Sequence, residues 1–434
     1  MSVTFRSLVP VLVFALVSVV APQPALAQDH AGMQMPMPPA EPHQMPAMTE
    51  NPLGIDQTRD GSGTSWLPQA SPMQGAMRHI GSWMLMLHGN AFLEYIAAEG
   101  PRGAEEFGSI NWVMGMAQRP VRRGQLLFRT MVSVEPLTVG RCGYPTLLAS
   151  GEQCRGAALH DQQHPHDVFM EVTAQYRRQL GRVAWEVYGG PAGEPALGPT
   201  AFPHRLSAMP NPIAPVSHHW LDSTHVSFGV MTGGLYGRRW KVETSAFNGR
   251  EPDDARYDLD LGALDSYAAR VWLMPTPRWA LQVSAGHLTE AEAGHDDSRE
   301  DVNRITASAT YHRLIGARLS ATTVAWGRNR ETGEATSAFM AETALDLTDR
   351  DVLYGRGELL QKTAQELVLP LATDESFTVQ KYQVGYTRWL ARLRGIRTGV
   401  GGSVGVSIVP AALAPFYGGR ATPEAAVYLT VRPG

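Results

Sequence analysis

"WMLMLHGNAFLEY", residues 83–95, alternates in a way that decides the fold. Trp83, Leu85, Leu87, Ala91, Leu93 and Tyr95 fall on one side of an extended chain, and Met84, Met86, His88, Asn90 and Glu94 on the other, because successive strand side chains point to opposite faces. The apolar side begins and ends in an aromatic residue. Such a strand tilted by about 45° rises about 28 Å, the height of an outer-membrane apolar band with its aromatic girdles.

The period recurs along the chain. Leu126, Phe128, Val132 and Val134 oppose Gln125, Arg129, Ser133 and Glu135, and Val168, Met170, Val172 and Tyr176 oppose Glu171, Thr173, Gln175 and Arg177. Trp240, Val242 and Ala246 oppose Lys241, Glu243 and Ser245, and Ile305, Ala307, Ala309 and Tyr311 oppose Arg304, Thr306, Ser308 and His312. A soluble sandwich would alternate too, so connection lengths discriminate better. Every second connection is tight ("RPVRRG", "LGR", "YGRR", "PTPR", "LIGA", "LTDRD", "LARLRG"), whereas 137–166, 192–221, 249–264 and 363–376 are long. Short turns at one end and long loops at the other predict a transmembrane antiparallel β-barrel of about 16 strands, with short periplasmic turns and long extracellular loops.

The side opposite the apolar one carries Met84, Met86, His88, Arg129, Glu135, Glu171, Arg177, Lys241, Glu243, Arg270, Arg304, Arg318, Arg356 and Glu358. So many charges are untenable in a dry core and need water or each other. A sixteen-stranded lumen is wide enough for both. Composition is neutral on the point: 44% hydrophobic residues, mean hydropathy −0.18 and net charge −4 describe an ordinary chain with no polyanion partner, so no nucleic acid is expected. Alternating faces cancel in such averages.

Arg6, the apolar run Leu8–Val20 and "PALAQ" at 24–28 predict an export signal cut after Ala27; a membrane anchor is the alternative, for which the run is short. The expected organisation is a signal peptide at 1–27, a Met/Pro/His-rich disordered periplasmic lead at 28–79 and an outer-membrane barrel at 80–434. In the lead, "HAGMQMPMPPAEPHQMPAM" sets Met33, Met35, Met37, Met45 and Met48 beside His30 and His43. Thioethers suit Cu(I) and imidazoles Cu(II), which makes this tract a copper collector or a plain spacer. Met84, Met86 and His88 lie where it would hand ions onward.

Two outward loops hold the remaining chemistry. Cys142 and Cys154 are the only cysteines of an exported chain, which points to a disulfide stabilising its loop by about 3 kcal/mol; a thiolate metal pair is the rival. "HDQQHPHD" (160–167) supplies His160, Asp161, His164, His166 and Asp167, and "SHHWLDSTH" (217–225) supplies His218, His219, Asp222 and His225. Consecutive barrel loops are neighbours, so these could converge on Cu or Zn ions, but their spacing matches no established metal motif. The competing reading is an inward-folded, hydrogen-bonded constriction. Asp222, Ser223 and His225 give a hydrolase only thin support, because adjacent residues of a strand diverge, and no catalytic residue is assigned.

The stretches "HDQQHPHD", "GGPAGEPALGP", "APVSHHWLDSTH", "FNGREPDDARYD" and "LDSYAARV" resemble a proteobacterial family of outer-membrane β-barrels without an assigned function, some of whose members are found beside metal-resistance genes. The resemblance implies the barrel fold over most of 80–434. In place of the terminal aromatic common in such barrels, the chain ends "YLTVRPG", with Tyr428 the nearest candidate. The expected function is a porin-like channel for small polar solutes or ions, linked to copper or other metal handling, with no required cofactor. A non-conducting structural or metal-binding scaffold is the alternative, and an outer-membrane hydrolase a weaker one. Outer-membrane lipid is the expected surrounding, and the sequence sets no oligomeric state.

Overall fold

The computed structural model describes residues 51–293, 299–331, 335–371 and 376–433. A short strand, β1 (Ala76–Ile80), turns back onto β2 (Trp83–Ala98). β3 (Glu105–Val121) and β4 (Gly124–Val132) follow, then an excursion whose hairpin is β5 (Tyr144–Cys154) and β6 (Ala157–Gln163). The wall resumes with β7 (Phe169–Leu180), β8 (Val183–Gly193), β9 (Ser227–Tyr236), β10 (Trp240–Phe247), β11 (Ser266–Leu273) and β12 (Trp279–Ala293). It ends with β13 (Arg299–Ile315), β14 (Arg318–Arg330), β15 (Ala335–Asp346), β16 (Asp351–Thr363), β17 (Ser376–Leu393), β18 (Ile396–Ile408) and β19 (Ala421–Pro433). Leaving out β1, β5 and β6, sixteen antiparallel strands close into a barrel, sealed where β19 pairs with β2 from Val431↔Ala91 to Glu424↔Ala98. β1 takes the stretch Trp83–Leu87 of β2 outside that pairing.

Turns at one end are tight. Gly181, Gly316 and Gly395 adopt positive φ in two-residue connections, as hairpin turns of that length require. The outer surface is apolar, with Leu93, Val187, Val242, Val283, Val324 and Leu429 among its exposed residues. Aromatic pairs mark its rims: Trp83–Phe128, Tyr176–Trp185 and Trp279–Tyr311 near the tight turns, Trp326–Phe339 near the long loops. An edgeless sheet is one of the two ways a backbone can cross lipid with every polar group paired. The architecture places the chain in the outer membrane of a Gram-negative bacterium.

The inside departs from a water-filled tube. Residues 51–71, expected as part of a disordered lead, pack within the barrel: Trp66, Thr64 and Ser65 are buried, and Leu53, Ile55 and Trp66 share a cluster with Ala184, Tyr236 and Trp272. The proline and methionine content of residues 30–48 is what suggests a disordered lead, and nothing periodic marks the sequence after it. Residues 28–50, with Met33, Met35, Met37, Met45 and Met48, lie outside the described residues.

The long connection 194–226 also folds inward, as one of the alternatives above anticipated. Its backbone or side chains bond to Ser245 of β10, Ser284 of β12, Thr323 of β14, Glu342 of β15, Glu358 of β16 and Gln383 of β17. At Gly327 of β14 the loop backbone packs directly against the wall. A Cβ there would lie 2.2 Å from the carbonyl oxygen of Trp220. Gly327→Ala is therefore expected to displace the short helix His218–Leu221 and cost about 1–3 kcal/mol, read as a lower urea midpoint for loss of the compact, heat-modifiable band.

Three placements correct the sequence reading. Arg318 is exposed on the outer side, because β14 turns Ala321, Thr323 and Ala325 inward; it donates to the Leu347 carbonyl oxygen at 3.1 Å. Glu135 is not a wall residue. β4 stops at Val132, and Glu135 with Pro136 opens a short helix, Glu135–Thr138, lying against β3. Met170, expected on the lipid side, is buried, because a register shift at Met131/Val132 turns it inward.

Candidate functional site

The lumen-facing charges pair mainly with each other and with the two inward segments. Arg177 grips Asp60 at 2.7 and 3.1 Å and Glu186 at 3.2 Å. Lys241 lies 3.0 Å from Glu186 and 3.5 Å from Glu243, bonds to the Thr64 carbonyl and faces the Trp66 ring. Arg270 reaches Glu243 at 2.8 Å and Glu194 at 3.4 Å. Arg129 bonds to the Gly63 carbonyl and lies 3.5 Å from Glu171. Across the lumen Arg205, fully buried, bridges Asp222 at 2.9 Å and Glu342, which also holds Arg356 at 3.0 Å; Glu358 accepts from Ser217 at 2.7 Å. Arg304 bonds to Asn329 and Ser223. Burial raises the cost of ionising Asp60, yet the Arg177 guanidinium holds its carboxyl below the usual range.

At the long-loop end, the Cys142–Cys154 disulfide ties the start of the excursion to the end of β5. Replacing both cysteines by serine is expected to loosen this hairpin by about 3 kcal/mol, seen as faster proteolytic nicking between 140 and 163 with the barrel intact. Asp161, buried, accepts from Arg102 and from the backbone N–H of Leu148, with the half-exposed His160 3.0 Å away. Arg256 links Glu152 to Asp167, and His164 lies 2.8 Å from Glu152.

The six loop histidines divide. His160, His164 and His219 turn to separate carboxylates, Asp161, Glu152 and Glu251. His166, His218 and His225 come together around the Phe202 ring. Nδ1 of each faces an acceptor: Glu135 at 2.9 Å, the Asp222 carboxylate at 2.8 Å and the Asp222 carbonyl at 2.8 Å, respectively. Nε2 of His166 and Nε2 of His225 then stand 3.1 Å apart. Burial opposes charge on His166, but Glu135 and Asp167 raise its pKa; burial and the neighbouring His218 and His166 push His225 well below the usual range. With each Nδ1–H turned to its acceptor, the contact between the two Nε2 atoms requires a proton on one of them. Ser223 accepts from Arg304, while His225 faces Asp222 and His166.

Two partners of His88, Met114 and Met131, escaped the sequence reading. His88 pairs in register with Met114, and Met114 with Met131; His204 comes down from the inward loop to meet them. The signal was present in "NWVMGMAQ", where Met114 and Met116 repeat the two-residue spacing of Met84, Met86 and His88.

No family model matches the chain, and no curated protein matches it in sequence. Among solved structures, OmpF of Salmonella typhi, in a complex with daunomycin, aligns with 82% of this chain and 100% of its own at 8% identity and a TM-score of 0.51. The anion-selective porin of Comamonas acidovorans aligns with 81% of this chain and 99% of its own at 11% identity and a TM-score of 0.50. At such identity the likeness concerns the fold. It defines the class: an outer-membrane β-barrel of porin-like architecture.

Proposed function

We propose that this barrel passes small polar solutes or ions once residues 51–71 withdraw, more freely when loop 194–226 also moves aside, and is closed in the conformation described. The observation that carries this reading is the chemistry of the wall beneath the inward segments. Arg177, Glu186, Lys241, Glu243 and Arg270 would keep a hydrophilic inner surface if the segments withdrew, with water taking up the bonds to Asp60 and Thr64. An inert scaffold gains more from an apolar filling, since buried ion pairs seldom outperform hydrophobic packing. Planar-bilayer recording tests it: sparse openings are expected from the full chain and sustained conductance from a variant lacking 51–71. Silence from both, with the barrel folded, favours the scaffold.

The His166–His225 pair favours a second reading, a metal-binding scaffold at the mouth. Two imidazole nitrogens held 3.1 Å apart, each ring fixed through Nδ1, resemble a pair of ligands on one ion with bonds of about 2.0 Å. Calorimetry with Zn²⁺ and Cu²⁺ on the folded chain should show binding that His225→Gln removes. Unchanged binding would leave the pair as an ordinary hydrogen bond.

A further inference from the structure

We infer that the lumen wall carries a soft-metal site, selective for Cu(I) or an equivalent monovalent ion, built from His88, Met114, Met131 and His204 beside the ring of Trp112. The inference goes beyond the conduction reading and holds whether or not the barrel conducts. His88 Nε2 lies 3.2 Å from the Met114 sulfur, and His204 Nε2 lies 3.4 Å from the Met131 sulfur. The two imidazoles are 5.2 Å apart, and the Trp112 ring is 5.1 Å from one and 4.7 Å from the other. Four donor side chains from β2, β3, β4 and the inward loop therefore meet beside one aromatic ring.

Three features point to a ligand rather than to packing alone. Buried imidazole nitrogens normally find oxygen or nitrogen partners, whereas a thioether is a weak acceptor; here both rings present Nε2 to sulfur. The spacing also fits shared coordination. Bonds of about 2.0 Å to nitrogen and 2.3 Å to sulfur set the two donors about 3.5 Å apart at the tetrahedral angle and closer at narrower ones. Finally, the strand register extends the soft donors along the wall, since Met86 pairs with Met116 one row on, and Gln118 beyond it bonds to Gln57 of the inward segment.

Ligand chemistry selects the ion. The ligand set contains two thioethers, two imidazoles and no carboxylate; Arg129, opposite Met116, is paired with Glu171, opposite Met131, so the two charges offset each other. Soft neutral ligands favour Cu(I) over Zn²⁺. The ion enters already reduced, so binding involves no electron transfer.

The test uses the full chain, refolded in detergent and titrated anaerobically with Cu(I) against a chromogenic Cu(I) chelator, with Ag(I) as a redox-inert check. Residues 33–48 also carry thioethers, so the variant must act on the wall alone. Met114→Leu with Met131→Leu removes both sulfurs while nearly conserving volume, and heat-modifiability confirms the fold. The parent is expected to hold one tight equivalent, with sulfur and nitrogen in its X-ray absorption signature. The double variant should weaken that equivalent by about 100-fold or more, the upper end of what even ligand-supporting groups achieve, and His160→Gln should leave it unchanged. Identical affinity and stoichiometry in parent and double variant would overturn the site. Because the readout is binding, a silent bilayer recording counts against conduction only.

Discussion

Arg177→Met is expected to destabilise the filled barrel by about 3–5 kcal/mol, the usual consequence of removing one partner of a buried ion pair. Arg177 is the residue that holds Asp60, and both side chains are at least nine-tenths buried. Without the guanidinium, Asp60 must stay charged in a dry site, bind a proton or carry residues 51–71 with it into water. Each outcome removes the bonds that hold the segment to the wall, so the variant should also conduct. Adding Asp60→Asn should recover part of the loss, and a double-mutant cycle measures the coupling. The pH dependence has a fixed sign. The folded pKa of Asp60 is depressed, so its contribution is present above its ordinary pKa near 4 and fades as pH falls through the folded value. Acid should therefore loosen the segment in the parent and have less effect in Asp60→Asn.

The second large effect lies across the lumen. Arg205 is fully buried and ties loop 194–226 to Glu342 on the wall, to Asp222 within the loop, and to the Thr200 carbonyl at 2.9 Å. Arg205→Met leaves Glu342 with Arg356, but Asp222 keeps only His218 and the Phe202 N–H near its carboxylate. A loss of about 3 kcal/mol is expected, the lower part of the range for such deletions because each carboxylate retains a partner. Urea titration of the heat-modifiable band reads the loss. Conductance should rise less than in Arg177→Met, because residues 51–71 stay anchored.

The wall was legible because two constraints print themselves on sequence. A strand facing lipid on one side must alternate, and a barrel threaded from the periplasm keeps its short turns at one end. Leu93 and Val242 outward, Lys241 and Arg270 inward, followed from parity alone. Parity fails where a strand ends or bulges, which is why Glu135 and Met170 were misplaced; Arg318 was misplaced because β14 turns small residues, Ala321 and Ala325, to the lumen and leaves little contrast between its faces. The filling was legible only in part. "IDQTRDGSGTSWLP" has neither helical nor strand period; Asp60, Thr64 and Trp66 are fixed by Arg177, Arg270 and Lys241, more than a hundred residues away. The candidate sites show the same limit. His166 and His225 are 59 residues apart and His88 and Met114 are 26 apart, so loop folding in one case and strand register in the other bring them together.

Hydrogen exchange on the full chain in lipid nanodiscs tests most directly whether two inward segments close the lumen. The backbone N–H groups of Gly61, Ser65 and Leu67 donate to Ser65, Ser62 and Arg59 within the first segment, and those of Arg205 and Trp220 donate to Ala201 and Ser217 within the second. These amides are expected to exchange on the slow scale of the strands around them, and Arg177→Met should release the first set while sparing the second. Exchange within seconds at both sets in the parent chain, with the strands still protected, would contradict the account and leave an open, porin-like lumen.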